Sequence, residues 1–105
     1  MSLSTHVLDA TLGTPAAGVP VRLTRGGETL AEAVTDADGR VRELDACAAA
    51  GAYRVTFDTG VYFAATGQQG FYPEVTITFT VSDPAAHYHV PLLLSPYAYS
   101  TYRGS

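Results

Sequence analysis

The chemistry this chain can offer starts with its three histidines, His6, His87 and His89. Imidazole titrates near neutral pH and can take or give a proton there. His87 and His89 are two residues apart, so on a strand both side chains leave from one face. Their alternates Tyr88, Val90, Leu92 and Leu94 are apolar, which makes that other face the packed one and turns the imidazoles outward. Three readings fit such a pair. It can be structural or idle; with His6 it can form an open three-imidazole zinc site; or it can act as a metal-free acid or base. A second concentration of chemistry closes the chain, Ser100-Thr101-Tyr102-Arg103-Gly104-Ser105. Arg103 offers a planar fork of donors, Tyr102 a phenol and Ser105 a hydroxyl. The plainer alternative there is an edge strand that pairs with a neighbour.

These groups must be carried by strands. Alternation of apolar and polar residues runs through Val19–Thr24, Tyr53–Asp58, Glu74–Val81, His87–Leu94 and Tyr97–Arg103. Turn signals separate the runs: Gly13-Thr14-Pro15, Arg25-Gly26-Gly27, Asp36-Ala37-Asp38-Gly39, Ser82-Asp83-Pro84 and Ser95-Pro96. Seven or eight short strands at this spacing predict an antiparallel β-sandwich. One stretch, Thr59–Thr66, suits a two-turn helix capped by Thr59 or Asp58. The 105 residues make one domain, 1–105, with no internal repeat or linker.

Composition removes several classes of function. The formal net charge is −4, lysine is absent, and the six arginines (Arg22, Arg25, Arg40, Arg42, Arg54 and Arg103) are scattered. Nucleic acid and anionic membrane both require a clustered basic surface, so neither is expected as a partner. No apolar run reaches the ~20 residues of a membrane span. A lone cysteine, Cys47, can form neither an internal disulfide nor a Cys-based metal cluster, and is expected to be an inert small residue. With no basic and apolar leader at the N-terminus, a cytoplasmic location is expected. A chain of this length has no room for a cofactor domain, so any active site is shallow or built between subunits.

The segment His87-Tyr88-His89-Val90-Pro91-Leu92-Leu93-Leu94-Ser95-Pro96-Tyr97-Ala98-Tyr99-Ser100-Thr101-Tyr102-Arg103-Gly104-Ser105 resembles the C-terminal block of the 5-hydroxyisourate hydrolases, the transthyretin-like enzymes of urate breakdown. Ser4-Thr5-His6-Val7-Leu8-Asp9 is similar to their N-terminal block, and Thr35-Asp36-Ala37-Asp38-Gly39-Arg40 to their middle block. The resemblance extends over essentially the whole chain. The terminal Tyr-Arg-Gly-Ser separates these hydrolases from the hormone-carrying transthyretins. Ala98 departs from the glycine common in the family, which bears only on local backbone geometry.

The resemblance implies an all-β, prealbumin (transthyretin)-like sandwich of two four-stranded sheets with one short helix. It implies a homotetramer whose active sites lie in the channel between dimers. It implies hydrolysis of 5-hydroxyisourate to 2-oxo-4-hydroxy-4-carboxy-5-ureidoimidazoline, with no cofactor and no required metal. Matched residue by residue, His6, Arg40 and His89 become catalytic, and Tyr102, Arg103 and Ser105 substrate-binding. On its own, Asp38-Gly39-Arg40 reads as a turn with a solvated arginine; the family match lifts Arg40. Arg103 can equally anchor the last strand, and His87 is left as a neighbour of the site. A non-catalytic carrier of a flat aromatic anion shares the fold and needs none of the proton-transfer groups. A protein-recognition sandwich would need exposed edges and no converging imidazoles.

Overall fold

Apolar–polar alternation along short segments is resolved by two sheets closing on one core. The structure is a computed structural model that describes residues 1–45 and 49–105. The expectation for Cys47 falls outside the described residues.

The strands in chain order are β1 (Ser2–Asp9), β2 (Thr14–Pro15), β3 (Pro20–Arg25), β4 (Glu28–Val34), β5 (Arg40–Asp45) and β6 (Gly51–Phe57). After a helix, α1 (Thr59–Ala65), come β7 (Val75–Val81), β8 (His87–Ser95) and β9 (Ala98–Thr101). One sheet runs β4-β3-β6-β7; the other runs β2-β1-β8-β9, with β5 also paired to β1. β5 lies beside residues 2–6 of β1 and the two-residue β2 beside Leu8 and Asp9. The two share one edge in succession, so the second sheet is four strands wide, as expected.

The facing layers interdigitate. Leu3, Val7, Tyr88, Leu92 and Leu94 from one sheet meet Val21, Leu23, Tyr53, Val55 and Phe57 from the other, all buried. Burying each such side chain contributes roughly 1.5–3 kcal/mol, which offsets chain entropy and fixes which face of every strand turns inward. Helix α1 matches the expected span to within a residue. Asp58 is its cap, accepting from the Val61 backbone N–H at 3.4 Å, and the helix buries Tyr62 and Phe63.

Two expectations need correction. The sandwich is not wholly antiparallel: β1 and β8 run parallel, with Ser2 opposite His87 and Ser4 opposite His89. A parallel pair needs a long crossover, and here the connection passes through the whole opposite sheet. The last alternating run is also shorter than Tyr97–Arg103. Tyr97 sits in the turn after Ser95, and β9 stops at Thr101. Pro91 has no N–H to offer the ladder, and its carbonyl accepts from the Thr101 hydroxyl at 2.7 Å instead. Pairing returns at the bridge between His89 and Gly104, where the Gly104 N–H donates to the His89 carbonyl at 2.9 Å.

Candidate active site

Three neighbouring strands bring the candidate residues to one outward face. On β1 the inward side chains are Leu3, Thr5, Val7 and Asp9, all buried, so Ser2, Ser4 and His6 turn out. The parallel register sets His6 against Pro91 on β8, and the antiparallel register sets it against Arg40 on β5. His89 comes from the same outward face of β8. Residues 6, 40 and 89, far apart in sequence, therefore meet on one sheet surface.

Arg40 is delivered by its turn. Asp36 Oδ1 accepts from the N–H groups of Asp38 at 2.9 Å and Arg40 at 3.0 Å, an Asx cage that sets the strand's first residue. Gly39 has φ of +74°, and a Cβ there would lie 2.4 Å from the Val7 carbonyl oxygen, so only glycine lets the turn press on β1. Arg42 takes up the turn's carboxylates, 3.3 Å from Asp38 and 3.9 Å from Asp36. That leaves the Arg40 guanidinium with no hydrogen bond or ion pair among the described residues, and its charge is felt both at His89 and at the turn's Asp36.

His89 is the most constrained imidazole. Its Nδ1 lies 2.7 Å from Ser4 Oγ. Burial holds its pKa below the usual 6.5 of histidine, and the Arg40 charge pushes it lower still. Hydrogen bonding to Ser4 acts the other way, and His6 and His87 add smaller repulsions. The balance favours a neutral ring at neutral pH, the state that accepts a proton. His87 is exposed, with Nε2 2.8 Å from Ser4 Oγ and Nδ1 2.5 Å from Ser2 Oγ.

The terminal segment divides between the two sides of β8. Gly104 lies against the His89 ring, where a Cβ would come within 2.4 Å of Cδ2. Arg103 lays its guanidinium over the ring of the inward Tyr88, 4.8 Å from the centroid. Tyr102 is 59% exposed and, with His89, Tyr88, Phe79 and Arg103, lines a cleft of about 260 Å³. Ser105 is exposed at the end of this segment. A larger hollow of about 340 Å³, lined by Arg22, Glu32, Thr56 and Asp58 among others, has no histidine in its wall.

Among the described residues, no group of three or more His, Cys, Asp or Glu side chains is arranged to hold a metal ion. No helix is long and apolar enough to cross a membrane. Sequence reasoning did not single out Ser2 or Ser4 as site residues, and it named Gly104 only as part of the terminal Tyr102-Arg103-Gly104-Ser105 segment, with no role of its own. The alternation Ser2, Ser4, His6 was the available signal for the serines, but it pointed to the site only once β1 was known to lie parallel to β8.

This chain is similar to proteins of known kind over nearly its whole length. The family model of the HIUase/Transthyretin family matches residues 3–104. A 5-hydroxyisourate hydrolase of Caulobacter vibrioides is 51% identical, covering 98% of this chain and 97% of that protein. The structure of Klebsiella pneumoniae 5-hydroxyisourate hydrolase superposes with a TM-score of 0.92 at 46% identity, covering all of both chains. Sea bream transthyretin in complex with thyroxine superposes with a TM-score of 0.85 at 35% identity, covering 97% of this chain and 93% of that one.

Proposed function

The chain belongs to the HIUase/Transthyretin family, and on that premise we propose that it is an enzyme that hydrolyses 5-hydroxyisourate to 2-oxo-4-hydroxy-4-carboxy-5-ureidoimidazoline. The observation that carries this reading is the meeting of His6, Arg40 and His89 on one outward sheet face, where burial and the Arg40 charge lower the His89 pKa and so favour its neutral form. A carrier of flat anions has no use for a neutral imidazole beside an unpaired guanidinium.

Opening the six-membered ring needs three things: a base for water, a partner for the oxyanion and a proton for the leaving nitrogen. An imidazole, His89 or His6, takes the proton from water as the oxygen adds to the ring carbonyl. Arg40 grips the anionic edge of the substrate and stabilises the oxyanion with its fork of donors. The C–N bond then breaks, and the proton the imidazole took from water passes to the departing nitrogen, leaving a carboxylate on the product. Tyr102 and Ser105 position the substrate. Arg103 anchors the terminal segment, because its guanidinium is already engaged with Tyr88.

The face is open in a single protomer, so the reading includes a homotetramer in which a neighbouring copy walls the site. It also includes a place in urate breakdown and a cytosolic setting, which fits a chain with one cysteine. The test is the ultraviolet absorbance of freshly generated 5-hydroxyisourate with and without the protein. Faster decay than the spontaneous rate is expected; an unchanged rate together with tight binding of the purine would favour the carrier.

A further inference from the structure

We propose that Ser4, His87 and Ser2 form a proton relay behind His89, carrying protons between its Nδ1 and solvent while Nε2 works on the substrate. The inference rests on the hydrolytic reading above. It starts from an unbroken string of short contacts across β1 and β8. His89 Nδ1 lies 2.7 Å from Ser4 Oγ, Ser4 Oγ lies 2.8 Å from His87 Nε2, and His87 Nδ1 lies 2.5 Å from Ser2 Oγ. The string begins at a half-buried ring, passes through the exposed His87 and ends at the half-buried Ser2 hydroxyl. The parallel register makes it possible, since Ser2 and Ser4 lie opposite His87 and His89 on adjoining strands.

Each member can both donate and accept, so the string has two polarities. In one, His89 Nδ1–H donates to Ser4, Ser4 O–H donates to His87 Nε2, and His87 Nδ1–H donates to Ser2. His89 Nε2 is then bare and acts as a base. In the other, every bond is reversed, and Nε2 carries the proton as an acid. When Nε2 takes a proton from water, the Nδ1 proton moves to Ser4 and the Ser4 proton to His87 Nε2. The His87 Nδ1 proton moves to Ser2, and the Ser2 proton leaves to solvent. One proton enters and one leaves, so His89 ends neutral. Delivery of the Nε2 proton to the departing nitrogen runs the string backwards. The benefit is electrostatic: full imidazolium beside Arg40 is disfavoured, and the relay removes the need to hold that charge. Ser4, His87 and Ser2 touch no reacting atom in this scheme and are positioning residues.

Ser4→Ala should lower kcat about tenfold with KM within twofold, and Ser4→Thr, which restores a hydroxyl, should recover most of the rate. In nitrogen-15 NMR, the His89 ring nitrogens should show mixed tautomers in the native protein and one tautomer in Ser4→Ala. His87→Gln, at an exposed site, keeps a hydrogen bond to Ser4 but cannot pass a proton, and should also slow turnover. This variant decides the matter if Ser4→Ala does not fold. Native kcat in Ser4→Ala or in His87→Gln would overturn the relay, as would a threonine variant as slow as alanine. If the native protein itself does not accelerate substrate decay, the hydrolytic reading fails. The tautomer comparison between native protein and Ser4→Ala still decides whether the string sets the state of His89.

Discussion

The two faces of β1 use polar residues in opposite ways. On the inward face, Asp9 is buried and fully satisfied: its carboxylate accepts from Tyr62 Oη at 2.6 Å, Gln68 Nε2 at 3.0 Å, and the N–H groups of Thr11 and Leu12 at 3.0 and 2.9 Å. Thr5, also inward, donates its hydroxyl to the Val90 carbonyl at 2.6 Å. On the outward face, His6 and its strand neighbour Arg40 make no side-chain hydrogen bond among the described residues, and His89 uses only one ring nitrogen on Ser4. Satisfied groups tie the helix and the loop after β1 to the sheet. Unsatisfied ones keep donors, an acceptor and charge for a ligand. One strand thus separates stability from chemistry by the simple period of its pleat.

The comparison breaks or holds most sharply at the outward pair. His89→Ala and Arg40→Ala should each lower the rate of ring opening by ~10²-fold or more, while the melting temperature hardly moves. Parallel loss of folding and rate would show that the outward face is structural after all. The inward face predicts the reverse. Asp9→Ala strands a tyrosine hydroxyl and an amide, and should cost about 2 kcal/mol in urea denaturation with little change in kcat of the folded fraction. Acid should reach the same end by titration. Burial alone would raise the Asp9 pKa, but the bonds from Tyr62, Leu12, Gln68 and Thr11 outweigh it and hold it below 3.8. Its contribution to stability is full above 3.8 and is lost as pH falls through that lowered value.

The inward face was the legible one. Alternation at Tyr88, Val90, Leu92 and Leu94 marked what is buried, and the span of α1 was legible in the stretch before Gly67, with Thr59 and Asp58 both offered as its cap and Asp58 the one used. Apolar burial depends on residue type and period, which a sequence displays. The site depends on which strands adjoin, and pairing between residues 2–9 and 87–94 is a long-range fact with no local signal. Histidines 87 and 89 could be turned outward from their own strand. Only the resemblance, and then the parallel register of β8 on β1 and the antiparallel register of β5 on β1, joined them to His6 and Arg40. Pro91, whose missing N–H ends β9, was visible in the sequence, but its consequence required knowing which edge it faced.

A smaller effect is expected at the junction of the terminal segment with β8. Gly104→Ala puts a Cβ 2.4 Å from His89 Cδ2, so the ring must turn off its bond to Ser4. Misplacing one acid–base group should cost about tenfold in kcat, with the fold intact because Gly104 lies beyond the last strand. An alanine variant with native kcat would mean that the ring is not held by this contact.

The finest test is electrostatic and reads His89 alone. Burial is the first cause of its lowered pKa and the Arg40 charge the second. Arg40→Gln removes the second and leaves the first, so NMR titration of His89 should show a midpoint that rises but stays below 6.5. Stability follows with a definite sign. A base whose pKa falls on folding binds protons more readily in the unfolded chain, so stability is full above 6.5 and declines as pH drops through the folded value. Arg40→Gln should shrink that decline, because the folded and unfolded values draw together. A midpoint unmoved by the substitution would mean that the guanidinium is not felt at the imidazole, and the outward face would then be a set of separate polar residues rather than one electrostatic unit.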